Sequence, residues 1–234
     1  MSDFRVPYVE EQQQEDNLDV VLANADLMLS HAEYSVVEDD AVQAVREQSD
    51  DLGARAITPA VGSVLTFLAK TLNARAVVEI GTGAGVSGLY LLRGMASDGV
   101  LTTMDTDTEH LRAARRAFRD ATIASTRTRL INGRALDVLP RLADSSYDIV
   151  FVDGNVIDQP QYVSASVRLL RPGGVLILNA AMLGGRVGDP SQQDTVAISA
   201  REAAQLIRDD ESLTEILIPL GEGIICALRN AVNS

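Results

Sequence analysis

Cysteine is nearly absent from this sequence. The single Cys226 among 234 residues allows no internal disulfide and no thiolate zinc site. Histidine is almost as scarce: His31 and His110 cannot form a multi-histidine centre, so a metal ion would need oxygen ligands. There is no tryptophan and aromatics make up 4%, which leaves little material for base-stacking platforms or aromatic cages. Positive charge is also short. Twenty Lys and Arg against 33 Asp and Glu give a net charge of −13, which argues against nucleic acid and anionic membranes as partners and leaves small cationic ligands open. No apolar run approaches the ~18 residues of a membrane span. The start, MSDFRVPYVEEQQQED, lacks the apolar core of a secretory signal, so a cytoplasmic protein is expected. What remains, 46% hydrophobic and 23% charged, is ordinary globular composition for one large domain or two small ones.

The chain reads as a flexible segment over 1–18 followed by one domain over 19–234, with a helical cap over 19–75 and an α/β core over 76–229. Val20, Val21, Leu27 and Leu29 suggest one apolar helix face, and Val42 and Val45 another. Thr58 followed by Pro59 is an N-cap with proline at the first helical position, and Val61, Val64, Leu65, Leu68 and Leu72 then recur at helical spacing. From residue 76 short apolar runs alternate with helical patterns: 76–80, 100–105, a weaker 129–132, 147–153 and 174–179. That alternation predicts a parallel sheet covered by helices on both faces. Thr106 with Glu109 predicts a capping box at the helix after the second run. Residues 213–220 and 224–228, separated by Gly221-Glu222-Gly223, predict a closing antiparallel hairpin.

The chemistry-bearing segment is Glu79-Ile80-Gly81-Thr82-Gly83-Ala84-Gly85-Val86-Ser87-Gly88. A strand runs into a glycine turn and then a helix, where free backbone N–H groups meet a ligand at the carboxyl end of the sheet. The spacing is not that of a dinucleotide fingerprint, because Val86 stands at the third glycine position. Glu79 before the turn suits an ammonium-bearing ligand, and Asp105 at the next strand end can take both hydroxyls of a ribose. Together they describe a nucleoside carrying a cationic group.

These residues resemble the first motif of class I S-adenosylmethionine-dependent methyltransferases. With Thr58-Pro59-Ala60-Val61-Gly62, Gly133-Arg134-Ala135, Tyr147–Asp153, Leu170-Arg171-Pro172-Gly173-Gly174 and Gly184-Gly185-Arg186-Val187, the order is similar to the catechol/caffeoyl-CoA type of O-methyltransferase over about residues 30–229. The nearest likeness is to actinobacterial members.

The resemblance implies a Rossmann-like, doubly wound, seven-stranded and mostly parallel sheet with an antiparallel C-terminal hairpin and an N-terminal helical extension. It implies S-adenosyl-L-methionine as cofactor and S-adenosyl-L-homocysteine as product. Ile57, Thr58, Glu79, Gly81, Thr82, Gly83, Gly85, Ser87, Asp105, Arg134, Ala135, Asp153 and Asn155 would line the cofactor. Of these, Ser87 would hold its carboxylate, Asp105 its ribose and Arg134-Ala135 its adenine. Asp153 would lie beside the transferred methyl as candidate catalytic residue, and Asp153 and Tyr162 would meet the acceptor. A small-molecule acceptor and a homodimer are implied as well.

Three positions depart from the family. Its divalent cation uses the aspartate matching Asp153 and an Asp-Asn pair that here is Asn179-Ala180; its lysine is here Val156. The metal site is therefore expected to be absent or weak, with Asp153 or Asp158 as candidate bases. The expected function is methyl transfer to a hydroxyl of a small, aromatic acceptor. The alternative is a weak or inactive cofactor-binding regulator or scaffold. Cys226 reads as a buried small hydrophobe and His110 as a surface residue, while His31 stays open. Arg112, Arg115, Arg116 and Arg119 read as a solvated helix face. The 184–194 stretch, rich in Gly, Pro and Gln, is expected to be a mobile loop near the acceptor.

Overall fold

The computed structural model describes residues 24–231. The expected segment 1–18, and Val20 and Val21, lie outside them. The core is a seven-stranded sheet of β1 (Ala76–Ile80), β2 (Val100–Asp105), β3 (Thr128–Asn132), β4 (Tyr147–Val152), β5 (Leu170–Leu178), β6 (Leu213–Ile218) and β7 (Ile224–Arg229), in the order β3-β2-β1-β4-β5-β7-β6. The first five strands are parallel, β7 runs antiparallel to β5, and β6 closes the hairpin on the edge. The inner strands are apolar nearly throughout because helices cover both faces.

One face carries Val77, Ile149, Phe151, Ile177 and Cys226. It packs against α2 (Asp40–Asp51), α3 (Pro59–Thr71), α4 (Val86–Gly94) and α5 (Thr108–Asp120). The other carries Val78, Ile80, Val150, Val152 and Leu176 and packs against α6 (Ala135–Val138), α7 (Gln159–Leu169) and α8 (Thr195–Asp209). A further helix, α1, covers 24–34. The chain order reverses between β1 and β4, so the crevice for a ligand opens beyond the carboxyl ends of those two strands.

Three sequence expectations change. The cap of α5 is Asp107, whose carboxylate accepts from Glu109 N, and not Thr106; Asp105 Oδ1 accepts from Asp107 N and so sets the aspartate in the cap position. β5 starts at Leu170, four residues earlier than expected, and takes in Pro172-Gly173-Gly174 through a register shift against β4. In α1, Leu27 and Leu29, expected on an apolar helix face, are 68% and 38% exposed, because no described element covers that face.

Candidate functional site

Beyond β1 and β4 lies a cleft of about 1140 Å³. Its floor is the glycine turn. Gly81 has φ +94°, and a Cβ there would sit 2.3 Å from the carbonyl oxygen of Asp153, so only glycine lets the β1 and β4 ends approach this closely. Thr82, Gly83 and Ser87 continue the floor into α4. Gly85 does not face the cleft. It caps α4 with φ +102°, and a Cβ there would press on Ala114 and Phe118 of α5 at 3.1 Å, so packing and backbone conformation account for it.

Glu79 lies under the turn, fully buried. Its Oε2 accepts from Thr103 Oγ1 at 2.6 Å, and Thr103 Oγ1 lies 2.6 Å from Thr82 Oγ1. Thr103 has one proton to give, so Thr82 donates to Thr103 and Thr103 to Glu79. Glu79 Oε1 has no hydrogen-bond partner. Burial, reinforced by the charges of Asp153 and Asp105 and partly opposed by the Thr103 and Ser87 hydroxyls, pushes this carboxyl up to about 7. A buried carboxylate without a cation beside it is a poor structural device and a good receptor for one.

Asp105 stands across the turn. Its Oδ2 accepts from Gly83 N at 2.9 Å and its Oδ1 from Asp107 N at 2.9 Å, leaving lone pairs on both oxygens for a diol. His110, read from sequence as a surface residue, is only 20% exposed at its side chain. Its Nδ1 lies 3.4 Å from Asp105 Oδ2 on the cleft wall, because the α5 turn folds it back over Asp105. Thr106, Arg134, Ala135 and Leu136 also line the cleft.

At the other end Asp153 is half-buried, and desolvation raises its carboxyl to about 7. Asn179 Nδ2 donates to Asp153 Oδ1 at 2.7 Å. Asn155, Asp158, Tyr162 and Ala180 surround them. Tyr162 O–H donates to Asp158 Oδ2 at 3.4 Å, and burial pushes the phenol up to about 12. Among the described residues no group of three His, Cys, Asp or Glu converges as a metal centre.

Of the residues singled out from sequence, Ile57, Thr58, Gly81, Thr82, Gly83, Ser87, Asp105, Arg134, Ala135, Asp153, Asn155 and Tyr162 line the cleft. Glu79 lies beneath it and Gly85 behind it. His31 is exposed and does not line it. Arg186, in the stretch expected near the acceptor, lines the cleft as well; sequence reading missed Arg55, which flanks Ile57, and Leu183, Val196 and Glu222, which the fold brings to it. The loop expected to be mobile is held by one guanidinium. Arg201 of α8 donates to the carbonyls of Val187, Gln192, Arg186 and Asp189 at 2.9, 2.7, 3.1 and 2.6 Å.

Residues 31–230 match the model of a family described as O-methyltransferase. The chain belongs to the O-methyltransferase family. A Mycobacterium tuberculosis protein named a probable O-methyltransferase is 57% identical over 201 residues, covering 86% of this chain and 90% of that one. The tomaymycin-synthesis O-methyltransferase TomG of Streptomyces achromogenes, solved with S-adenosylmethionine, is 29% identical with a TM-score of 0.76, covering 84% of this chain and 92% of that one. The Bacillus cereus O-methyltransferase, solved with S-adenosylhomocysteine, is 25% identical with a TM-score of 0.78, covering 86% and 96%. As a member of this family the chain is an S-adenosylmethionine-dependent O-methyltransferase with a Rossmann-like fold. Among the described residues no helix is long and apolar enough to cross a membrane.

Proposed function

We propose that S-adenosylmethionine lies along the glycine turn with its cationic methionyl part over Glu79, its ribose on Asp105 and its adenine against Arg134-Ala135, and that its methyl passes to a hydroxyl of a small hydroxylated aromatic. The observation that carries this is the fully buried Glu79 with an unpartnered oxygen beneath an open cleft. The residues fit the cofactor. An ammonium completes Glu79, a diol completes Asp105, and Ser87 in the first turn of α4 meets a carboxylate where helical N–H groups are free. Ile57 and Thr58 border the methionyl half, and Asn155 borders the cofactor beside Asp153.

In the transfer, the acceptor oxygen attacks the methyl carbon, the carbon–sulfur bond breaks, and its electron pair stays on sulfur to leave the neutral thioether. The hydroxyl proton leaves to a base. Asp153, raised to about 7, would take it, with Asp158, which also lines the cleft, as the second candidate. Leu183 and Val196 offer apolar surface to an aromatic ring, with Tyr162 beside it.

The residues present do not fit a divalent cation. Asn179 turns its amide donor to Asp153 where a second anionic ligand would be needed, and Ala180 has no side-chain oxygen. No step here uses a metal. The test is turnover of S-adenosylmethionine with a panel of catechols and hydroxycinnamates. Methylation should persist in EDTA, and Asp153→Ala should lower kcat by about 10²–10⁴-fold while S-adenosylhomocysteine still binds. Magnesium-restored activity after EDTA would reject the metal-free reading, and a wild-type chain that binds cofactor but methylates no panel member would reject the aromatic acceptor.

The family resemblance also implies a homodimer. Leu27, Met28, Tyr34, Phe67 and Ile216 are exposed apolar residues that a second copy would cover.

A further inference from the structure

Five consecutive residues, Ala54 to Thr58, form one wall of the cleft. The wall stands over the glycine turn: Ala54 Cβ is the nearest atom to the place a Cβ on Gly83 would occupy, at 3.9 Å. Its ends are tied by backbone bonds, Ala54 N to Ser49 O and Gly62 N to Thr58 O. Between those ends Arg46 Nη1 donates to the Ile57 carbonyl at 2.7 Å, and the exposed Arg55 Nη1 lies 3.5 Å from Glu222 Oε1 at the surface.

Arg46 is itself held. Its Nε and Nη2 fork onto Glu38 at 2.9 and 2.5 Å, and the Glu38 side chain is only 7% exposed. Glu38 Oε1 also accepts from Tyr90 O–H at 2.7 Å. Tyr90 sits on α4, the helix that leaves the glycine turn, and packs so tightly on α3 that a Cβ on Gly62 would come within 2.4 Å of its ring. The Arg46–Glu38 pair therefore joins the cap, the cofactor wall and, through Tyr90, the glycine-turn helix. A planar fork can hold a carboxylate and still give its third nitrogen to a carbonyl; a lysine ammonium cannot span both.

We propose that Arg46 is a positioning residue for cofactor binding, and that its bond to the Ile57 carbonyl sets the wall 54–58 against the methionyl half of S-adenosylmethionine. The proposal rests on the cofactor placement given above. It goes beyond that placement by assigning a role to Arg46, Glu38 and Tyr90, none of which lines the cleft.

The test is titration calorimetry with two probes: S-adenosylhomocysteine, and 5′-methylthioadenosine, which keeps the nucleoside but lacks the amino-acid part. Arg46→Met should weaken S-adenosylhomocysteine by about tenfold or more, as expected for losing a charged hydrogen bond that holds the wall, and leave methylthioadenosine unchanged. Arg46→Lys, which keeps the charge and the Glu38 partner, should show the same selective loss to a smaller degree and covers failure of Arg46→Met to fold. Asp39→Ala is the structural control. It removes the α2 cap and the Arg93 ion pair at 2.8 Å but leaves Ile57 gripped, so it should lower Tm without changing either affinity. The proposal is overturned if the Arg46 variants bind S-adenosylhomocysteine as wild type does. It is equally overturned if they weaken both probes alike, or if Asp39→Ala reproduces their effect. A wild-type chain that fails to bind S-adenosylhomocysteine would instead overturn the cofactor placement itself.

Discussion

Replacing Glu79 by glutamine should have two opposite effects. In the free protein the carboxyl is fully buried and raised from 4.5 to about 7, with burial the main cause. The folded chain thus holds a proton that the unfolded chain gives up between pH 4.5 and about 7. The stability this group contributes is present below pH 4.5 and is lost as pH climbs through that window. The loss reaches at most about 3 kcal/mol. Glu79→Gln removes it, so the free variant should melt higher than wild type at pH 8, by up to about 10 °C, and the two should converge near pH 4.5.

Ligand binding runs the other way. A cationic ligand needs the carboxylate, so the wild-type affinity for S-adenosylhomocysteine should fall as pH drops below about 7. At pH 5.5 about one molecule in 30 is ionised, a roughly 30-fold weakening. His110 and Asp153 also face the cleft, so the decisive quantity is the difference between wild type and variant by calorimetry across pH 5.5–8. The variant should bind about 10–100-fold more weakly at pH 8 and show a flatter profile. A variant that binds as tightly as wild type at pH 8, or keeps the full pH slope, would refute the assignment of Glu79 to the cation.

Arg201→Ala removes the four bonds that gather the carbonyls of the 186–192 loop, and should cost about 2 kcal/mol of stability. Trypsin should then cut after Arg186 in the variant under conditions that spare wild type; equal cleavage rates would show that the loop does not depend on this side chain. Light scattering should give twice the chain mass, and Phe67→Glu, which puts a charge on a two-thirds exposed apolar position of α3, should shift it toward the single chain; a wild-type monomer would remove the dimer reading.

Local chemistry made much of this protein legible before folding. Apolar runs bounded by glycine mark strands buried on both sides, which is why 76–80 and 100–105 matched β1 and β2 to the residue. Thr58-Pro59 carries its own cap, observed with Thr58 Oγ1 accepting from Val61 N. The glycine turn with Glu79 and Asp105 needs only adjacency along two neighbouring strands. Where several local signals compete, tertiary structure decided: Thr106 and Asp107 can each cap a helix, and the bond from Asp107 N to Asp105 selected the aspartate.

Contacts between distant segments left no mark in the sequence. The 184–194 stretch has the composition of a mobile loop, and only the fold brings Arg201 under its carbonyls. His110 has the spacing of a surface helix residue until α5 turns it onto Asp105. Arg46 reaches Ile57 over 11 residues and Tyr90 reaches Glu38 over 52. Backbone carbonyls are the same at every residue, so a side chain that seeks one gives no pattern to read. The sequence by itself determined which strand ends carry acids for a cationic nucleoside. The tertiary structure alone decided that Glu79 would be dry and short of a partner, because burial and hydrogen bonding belong to the packed surroundings and not to the residue.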